Sequence, residues 1–102
     1  MVKVTVLYGK PDDPTAFDDH YASTHLALVA KMPGMRRFEH GHVVGTHDGG
    51  PPPYYRIAEL WFDSEEELLA AMATPEGEAT AADVPKFASG GATIMISTVD
   101  TL

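Results

Sequence analysis

The segment Tyr54–Phe62, YYRIAELWF, places the strongest limit on the folds open to this chain, because it has the composition of a strand and contains no breaking residue. Successive side chains of a strand point to opposite faces of its sheet. Both faces of this strand are apolar, with Tyr55, Ile57 and Trp61 on one side and Tyr54, Leu60 and Phe62 on the other. A sheet with one face in water shows apolar residues on a single face, so the segment predicts a sheet covered on both sides.

Proline and glycine clusters divide the 102 residues into four strands and two helical regions. The strands are predicted at Val2–Tyr8, Met35–Val44, Tyr54–Phe62 and Ala92–Val99. The first helix is predicted to begin after an N-cap at Thr15 and to end near Lys31, before a proline and a glycine.

The second helical region begins at Ser64, which forms a capping-box pattern with Glu67. A further helical piece is predicted from Pro75 to Val84, and Pro85 is expected to end it. The resulting order is β-α-β-β-α-β. Right-handed crossovers then give an α+β fold, a ferredoxin-like βαββαβ sandwich, in a single domain over residues 1–102.

Helices cover only one face of such a sandwich, which leaves the second apolar face of the sheet bare. A chain of this size buries only about 60–65% of the surface that its unfolded form exposes. A homodimer that pairs the two bare sheet faces, as in a dimeric α+β barrel, is the simplest way to cover them. The alternative is a monomer with an exposed apolar face.

Composition and charge exclude several classes of partner. The net charge of −8 and the pI of about 4.8 argue against nucleic acid and anionic membranes, which both select for clustered Lys and Arg. The chain has no cysteine, so disulfides, thiol catalysis and cysteine-ligated metals are excluded. No apolar run approaches the ~20 residues that span a bilayer. These features predict a cytoplasmic protein.

The first predicted helix carries a histidine on its inner face. A spacing of about 100° per residue puts five residues within a sector of roughly 80°. They are Phe17, Tyr21, His25, Leu28 and Met32. A buried imidazole needs hydrogen-bond partners, and it titrates near neutral pH. We therefore consider His25 as a proton-transfer group oriented by Tyr21, with a structural core histidine as the alternative.

Three further residues are candidates for the site. His40 and His42 alternate on the second strand and share a face, a spacing that can chelate a divalent metal, with Glu59 as a third ligand. No other ligand is set by spacing, so we predict no metal site and assign the two histidines to a pocket wall. Glu59 among aromatic rings is a candidate acid or base, and an ion pair with Arg36, Arg37 or Arg56 is the alternative.

Several motifs together resemble the EthD family, named after ethyl tert-butyl ether degradation. The first helix reads FDDHYASTHLAL from Phe17 to Leu28, and KMPGMRRF follows from Lys31 to Phe38. Further matches are AELWFDS from Ala58, TPEG from Thr74, and DVPKF from Asp83. Ala27 stands where the family usually has a proline. The resemblance covers nearly the whole chain.

The resemblance implies a dimeric α+β barrel and maps the family's helix histidine onto His25. It also implies an oxidoreductase of a degradation pathway, because the EthD family itself is associated with that activity. Relatives with the same barrel include cofactor-free monooxygenases, polyketide cyclases and muconolactone isomerases. The chain has no nucleotide-binding loop, flavin motif or lipoyl signature, so we predict no cofactor.

The leading hypothesis is a cofactor-free oxidoreductase, isomerase or cyclase that acts on an aromatic or lactone-like small molecule. An apolar wall for this substrate is predicted from Tyr8, Phe38, Trp61 and Phe87, beside His40, His42 and Glu59. The alternative is a non-catalytic protein that binds a hydrophobic metabolite, or an accessory protein without a ligand.

Overall fold

The computed structural model describes residues 1–102 and contains one four-stranded antiparallel sheet. Its strands are β1 (Val2–Tyr8), β2 (Arg37–His42), β3 (Arg56–Phe62) and β4 (Ala92–Thr98). Their order across the sheet is β2-β3-β1-β4, so β2 and β4 are edge strands. The predicted βαββαβ order of the α+β class is confirmed. None of the helices combines the length and the hydropathy of a membrane-spanning segment.

The first helical region is one rod with an irregular centre. It consists of α1 (Pro14–His20), a π-helical turn (Tyr21–His25) and α2 (Leu26–Val29). The N-cap is Asp13, whose carboxylate accepts a hydrogen bond from the backbone N–H of Ala16 at 3.1 Å. The prediction of Thr15 as the N-cap was therefore wrong, because Pro14 already occupies the first helical position, where its missing N–H costs nothing.

The π-helical turn changes which residues face the sheet. The backbone N–H of Leu26 bonds to the carbonyl of Tyr21, five residues earlier, so this turn holds one residue more than an α-helical turn. The extra residue rotates the rest of the rod. Val29 is buried, whereas Leu28 is only half-buried and does not belong to the inner stripe as predicted.

The second region contains α3 (Glu65–Met72) and α4 (Pro75–Phe87). The predicted cap at Ser64 is confirmed, since its hydroxyl accepts from the N–H of Glu67 at 3.1 Å. Pro85 does not end α4, which continues to Phe87. A proline removes only one helical donor, and the N–H of Ala88 still bonds to the carbonyl of Val84 at 2.9 Å.

The helices cover one face of the sheet, and the core lies between them. Alternate residues of β1 and β3 form that face: Val4, Val6, Tyr8, Ala58, Leu60 and Phe62. The opposite face is less apolar than predicted, because Lys3 pairs with Glu59 at 2.7 Å and lies over the ring of Trp61. Strand β4 is exposed along its length on both faces, with Ile94 55% and Met95 47% exposed.

Glycine at position 77 allows α4 to begin directly against the end of α3. A Cβ there would meet the carbonyl oxygen of Ala71 and lie 2.7 Å from the Cα of Met72. We expect Gly77→Ala to lower the free energy of unfolding by about 1–3 kcal/mol despite the better helix propensity of alanine, because backbone atoms must move. Urea denaturation measures this change in the free energy of unfolding. Gly45→Ala is the control, since a Cβ at Gly45 meets nothing; equal stability of the two variants would contradict this packing.

Candidate functional site

A cavity of about 90 Å³ lies between the first helical rod, α4 and the covered face of the sheet. Fifteen of its 18 lining residues are hydrophobic, and Tyr8, Tyr21 and Phe38 are among them. His25 is the one lining residue whose ordinary pKa lies near neutral pH. The cavity thus combines an apolar wall with a single imidazole.

The two ring nitrogens of His25 have different surroundings. Nδ1 lies 2.9 Å from a carboxylate oxygen of Asp83 on α4. An ionised carboxylate only accepts hydrogen bonds, so Nδ1 carries the proton of the neutral ring and donates it. Nε2 has no hydrogen-bond partner and keeps a small accessible surface. Its lone pair is therefore free, in a residue that lines the cavity.

Asp83 accepts hydrogen bonds from two histidines at once. His20 Nε2 lies 2.9 and 3.0 Å from its two oxygens, and the carboxylate is only 3% exposed. Burial pushes the pKa of Asp83 up, but the hydrogen bonds from His20 and His25 outweigh it and hold the pKa below its usual value. Asp83 therefore stays ionised and ties α4 to both ends of the π-helical turn.

His25 is neutral at pH 7. Burial lowers the pKa of its imidazole below the ordinary value of 6.5, and the bond to Asp83 offsets only part of that effect. A neutral ring with Nδ1–H held by a carboxylate has a free lone pair on Nε2, as a general base requires.

Tyr21 lies beside His25 without a hydrogen bond to it. Their ring centroids are 5.4 Å apart, and the Tyr21 hydroxyl is enclosed and has no partner. Burial raises the pKa of Tyr21 to about 12, so the hydroxyl keeps its proton and is a donor. The group that orients His25 is Asp83, and the orienting role predicted for Tyr21 is not supported by the contacts.

The structure divides the predicted substrate wall between two faces of the sheet. Tyr8 and Phe38 line the cavity, and the ring of Phe87 lies 4.7 Å from that of His25. Trp61 and Glu59 lie on the opposite face, so assigning them to the pocket was wrong. The strand period explains this, since residues 59 and 61 alternate with the cavity residues Ala58 and Leu60. The partner of Glu59 is Lys3 rather than an arginine.

His40 and His42 share the covered face, as predicted, but outside the cavity lining. Both face Arg56, whose guanidinium nitrogens lie 2.8 Å from His40 Nδ1 and 3.2 Å from His42 Nε2. His42 Nε2 also lies 3.0 Å from a carboxylate oxygen of Asp18. No group of three or more His, Asp or Glu side chains is arranged to hold a metal ion.

Sequence reasoning missed Asp83, His20 and Arg56 as parts of the site. The buried stripe of α4 includes Gly77, Thr80, Asp83 and Phe87. The helical spacing that identified His25 would have found Asp83 on this stripe. Arg56 begins β3 on the face of Ala58 and Leu60, so the period of the strand carried the same signal.

The EthD domain family matches residues 10–91 of the chain. A protein from Rhodococcus erythropolis, described as an uncharacterized 11.0 kDa protein in the thcB-thcC intergenic region, is 45% identical over 102 residues. That alignment covers 100% of this chain and 98% of the relative. The crystal structure of an EthD family protein from Bacillus halodurans superimposes with a TM-score of 0.91 at 40% identity, covering 98% of this chain and 99% of that one.

Two more distant structures share the fold. A dimeric ferredoxin-like protein of unknown function from Thermobifida fusca has a TM-score of 0.72 at 16% identity, covering 96% of this chain and 90% of that chain. SnoaB from Streptomyces nogalater, a cofactor-independent oxygenase, has a TM-score of 0.65 at 17% identity, covering 99% and 93%. Three structural neighbours of this chain are described as dimeric proteins of the ferredoxin-like fold.

Burial and the charge of Asp83 have opposite effects on the pKa of His25, and the substitution Asp83→Asn separates them. The substitution removes the charge that raises the pKa of His25 and leaves the burial that lowers it. We expect the pKa of His25, which is already below 6.5 in the parent, to fall further in the variant. Imidazole ¹H–¹⁵N NMR over a pH titration reports both the pKa and the protonated nitrogen.

Asp12→Asn, at an exposed aspartate, is the control and should leave the titration unchanged. A pKa of His25 that rises in the Asp83→Asn variant would contradict the assigned balance of burial and charge.

Proposed function

The chain belongs to the EthD family, and on this premise we propose that it is a small-molecule enzyme in which His25 acts as the proton-transfer group. The observation that carries the proposal is that His25 lines an apolar cavity and has an unpartnered Nε2, while Asp83 holds its Nδ1 at 2.9 Å. A base oriented by a buried carboxylate is the arrangement that general-base catalysis uses.

The proposed step is removal of a proton from an acidic C–H or O–H group of the substrate. Nε2 accepts the proton, the imidazole becomes a cation, and the ionised Asp83 stabilises that cation through Nδ1–H. The electron pair left on the substrate then has two outcomes. Return of the proton to another substrate atom completes an isomerisation or cyclisation, and transfer of electrons to molecular oxygen begins an oxygenation.

The apolar lining favours an aromatic or lactone-like substrate, such as those of degradation pathways. The cavity of about 90 Å³ is smaller than the ~150 Å³ that holds a benzene molecule in an engineered protein core. We therefore propose that the reacting end of the substrate enters while the rest remains outside. Met72 and Ile94 support this, because both line the cavity and are 40% and 55% exposed.

Cofactor-free chemistry is part of the proposal. SnoaB, which shares the fold, is a cofactor-independent oxygenase. A substrate carbanion or phenolate can itself supply electrons to oxygen, so the protein's contribution reduces to proton removal, orientation and exclusion of water.

A non-catalytic binder of a hydrophobic metabolite is the second candidate function. It is favoured by the cavity lining, in which His25 is the one group that changes its charge near neutral pH. The two functions differ in whether the bound molecule is altered.

Replacement of His25 separates the two functions. The protein is incubated with a metabolite extract, and native mass spectrometry followed by chromatography identifies what it retains or changes. We expect a transformed metabolite, and a loss of turnover of about 10²–10⁴-fold in His25→Gln with unchanged folding. Turnover of the parent should fall as the pH drops through the lowered pKa of His25, because protonation fills the lone pair of Nε2.

His47→Ala is the control, since this histidine is exposed in a loop. Full activity of His25→Gln would assign His25 a structural role. A metabolite that is retained without change would favour the binder.

We also propose that two copies pair through the uncovered sheet face, including Met95 of β4. Half-exposed apolar residues there, Leu7, Ile57 and Trp61, support this pairing, as do the dimeric neighbours. Charged pairs such as Lys3–Glu59 lie among them and would fix the register of the two sheets.

Sedimentation equilibrium should give twice the chain mass of 11.0 kDa. Met95→Glu should shift the protein to monomers, because it places a charge in the contact of the two sheets. Leu69→Glu is the matched control, since Leu69 is 52% exposed on the helical side, compared with 47% for Met95. A dimer that survives Met95→Glu but not Leu69→Glu would place the interface on the helices.

A further inference from the structure

Arg56 is a buried cation without an anionic partner. It is only 8% exposed, and none of the ion pairs of the chain includes it. Its Nε is fully enclosed and makes no hydrogen bond. Buried charges in proteins are normally paired with an opposite charge, so this guanidinium is an exception.

The acceptors that Arg56 does have are imidazoles. One terminal nitrogen lies 2.8 Å from Nδ1 of His40, and the other lies 3.2 Å from Nε2 of His42. Burial lowers the pKa of His40, and the charge of Arg56 lowers it further, so His40 is a neutral acceptor at pH 7. Neither partner is an anion, and the carboxylate of Asp18, which lies beyond His42, acts on Arg56 only at a distance.

The bond to His42 competes with a second one. His42 Nε2 also lies 3.0 Å from Asp18 Oδ1, and a carboxylate can only accept. When Nε2 carries the proton for Asp18, it has no lone pair for Arg56. In that state the guanidinium has two nitrogens without an acceptor, Nε and the terminal nitrogen facing His42.

Arg56 adjoins the proposed active site through Tyr21. The guanidinium lies 4.3 Å from the centroid of the Tyr21 ring, and the ring of His25 lies 5.4 Å from the same ring between centroids. The Tyr21 hydroxyl is a donor without an acceptor. Three groups without a full set of partners thus lie at or beside the Tyr21 ring: the Arg56 guanidinium, the Tyr21 hydroxyl and Nε2 of His25. The first two are donors that an anion could accept from.

We propose that Arg56 binds a carboxylate group of the substrate, so that the substrate class is a small aromatic or lactone-like carboxylic acid. This inference rests on the proposed function for the identity of the bound molecule as substrate. A guanidinium pairs with a carboxylate through two parallel hydrogen bonds, and the two terminal nitrogens of Arg56 that face the imidazoles are the donors for such a pair. His40 and His42 are exposed on the edge strand β2, so their rings can turn outward and yield their places to the carboxylate.

The test compares benzoate with benzamide, which has the same ring without the charge. Each is titrated into the full chain by isothermal calorimetry at pH 7 and low salt. We expect benzoate to bind at least tenfold more tightly than benzamide. Arg56→Gln should abolish this preference without changing the affinity for benzamide, and Arg56→Lys should retain part of it, since lysine keeps the charge but loses the bidentate geometry.

Arg36→Gln is the control, because Arg36 is an exposed arginine that pairs with Asp63 on the surface. Benzoate that binds no more tightly than benzamide to the parent protein, including the absence of binding by both, overturns the proposal without any variant. A preference that persists in Arg56→Gln overturns it as well.

The outcome is independent of the role of His25. His25→Gln should keep the preference for benzoate, even if its turnover shows that His25 is not the base. Conversely, Arg56→Gln could lose the preference for benzoate and keep full turnover of the substrate. That result would leave the proton-transfer proposal intact and would show that the substrate carries no carboxylate. Imidazole NMR signals of His40 and His42 should shift when benzoate is added to the parent, and not when benzamide is added.

Discussion

The carboxylate of Asp83 is shared by His20 and His25, and the geometry of the site depends on this contact. It joins α4 to the first helical rod, and the neighbouring contacts between these two elements are ring contacts of Phe87 with His20 and His25. Ring contacts are tolerant of direction, whereas hydrogen bonds from two imidazoles to one buried carboxylate are not. Asp83 therefore sets which nitrogen of His25 carries the proton and which one is free.

The π-helical turn makes this contact available. An α-helix with 3.6 residues per turn cannot keep every fourth residue on one side over about four turns without drifting. The extra residue between Tyr21 and Leu26 changes the phase once, in the middle of the rod. Before the turn, Phe17 and Tyr21 face the sheet, and after it Val29 and Met32 do so. Such turns are costly in hydrogen-bond geometry and occur often at functional sites, which agrees with the presence of His25 at its end.

Two buried charges of opposite sign lie close to Tyr21. The anion Asp83 is fully provided with donors by two histidines, and one of them, His25, is a ring neighbour of Tyr21. The cation Arg56 lies over the Tyr21 ring and lacks an anionic acceptor. These two buried charges have different roles. Asp83, whose oxygens accept hydrogen bonds from two histidines, orients His25, whereas Arg56, which has no anionic acceptor, favours the binding of an anionic ligand. The proposed base, His25, and the proposed anion site at Arg56 thus both lie next to the ring of Tyr21.

The sequence by itself determined the order of the elements, the fold class and the candidate histidine. Strand alternation, the cap at Ser64 and the burial of His25 are local consequences of residue spacing, and a period of 2 or 3.6 is legible without coordinates. Even the misplacement of Trp61 and Glu59 was avoidable, because their strand positions already separated them from Leu60.

Only the tertiary structure decided which partners these residues have. Asp83 is 58 residues from His25, so their contact depends on how α4 packs against the first rod. Arg56 is 16 residues from His40, and their contact depends on the register in which β2 pairs with β3. The π-helical turn could not be predicted from the sequence either, because the spacing argument assumes 3.6 residues per turn along the whole helix. Hydrogen bonds and charges act between neighbours in space, and spacing along the chain specifies faces rather than neighbours.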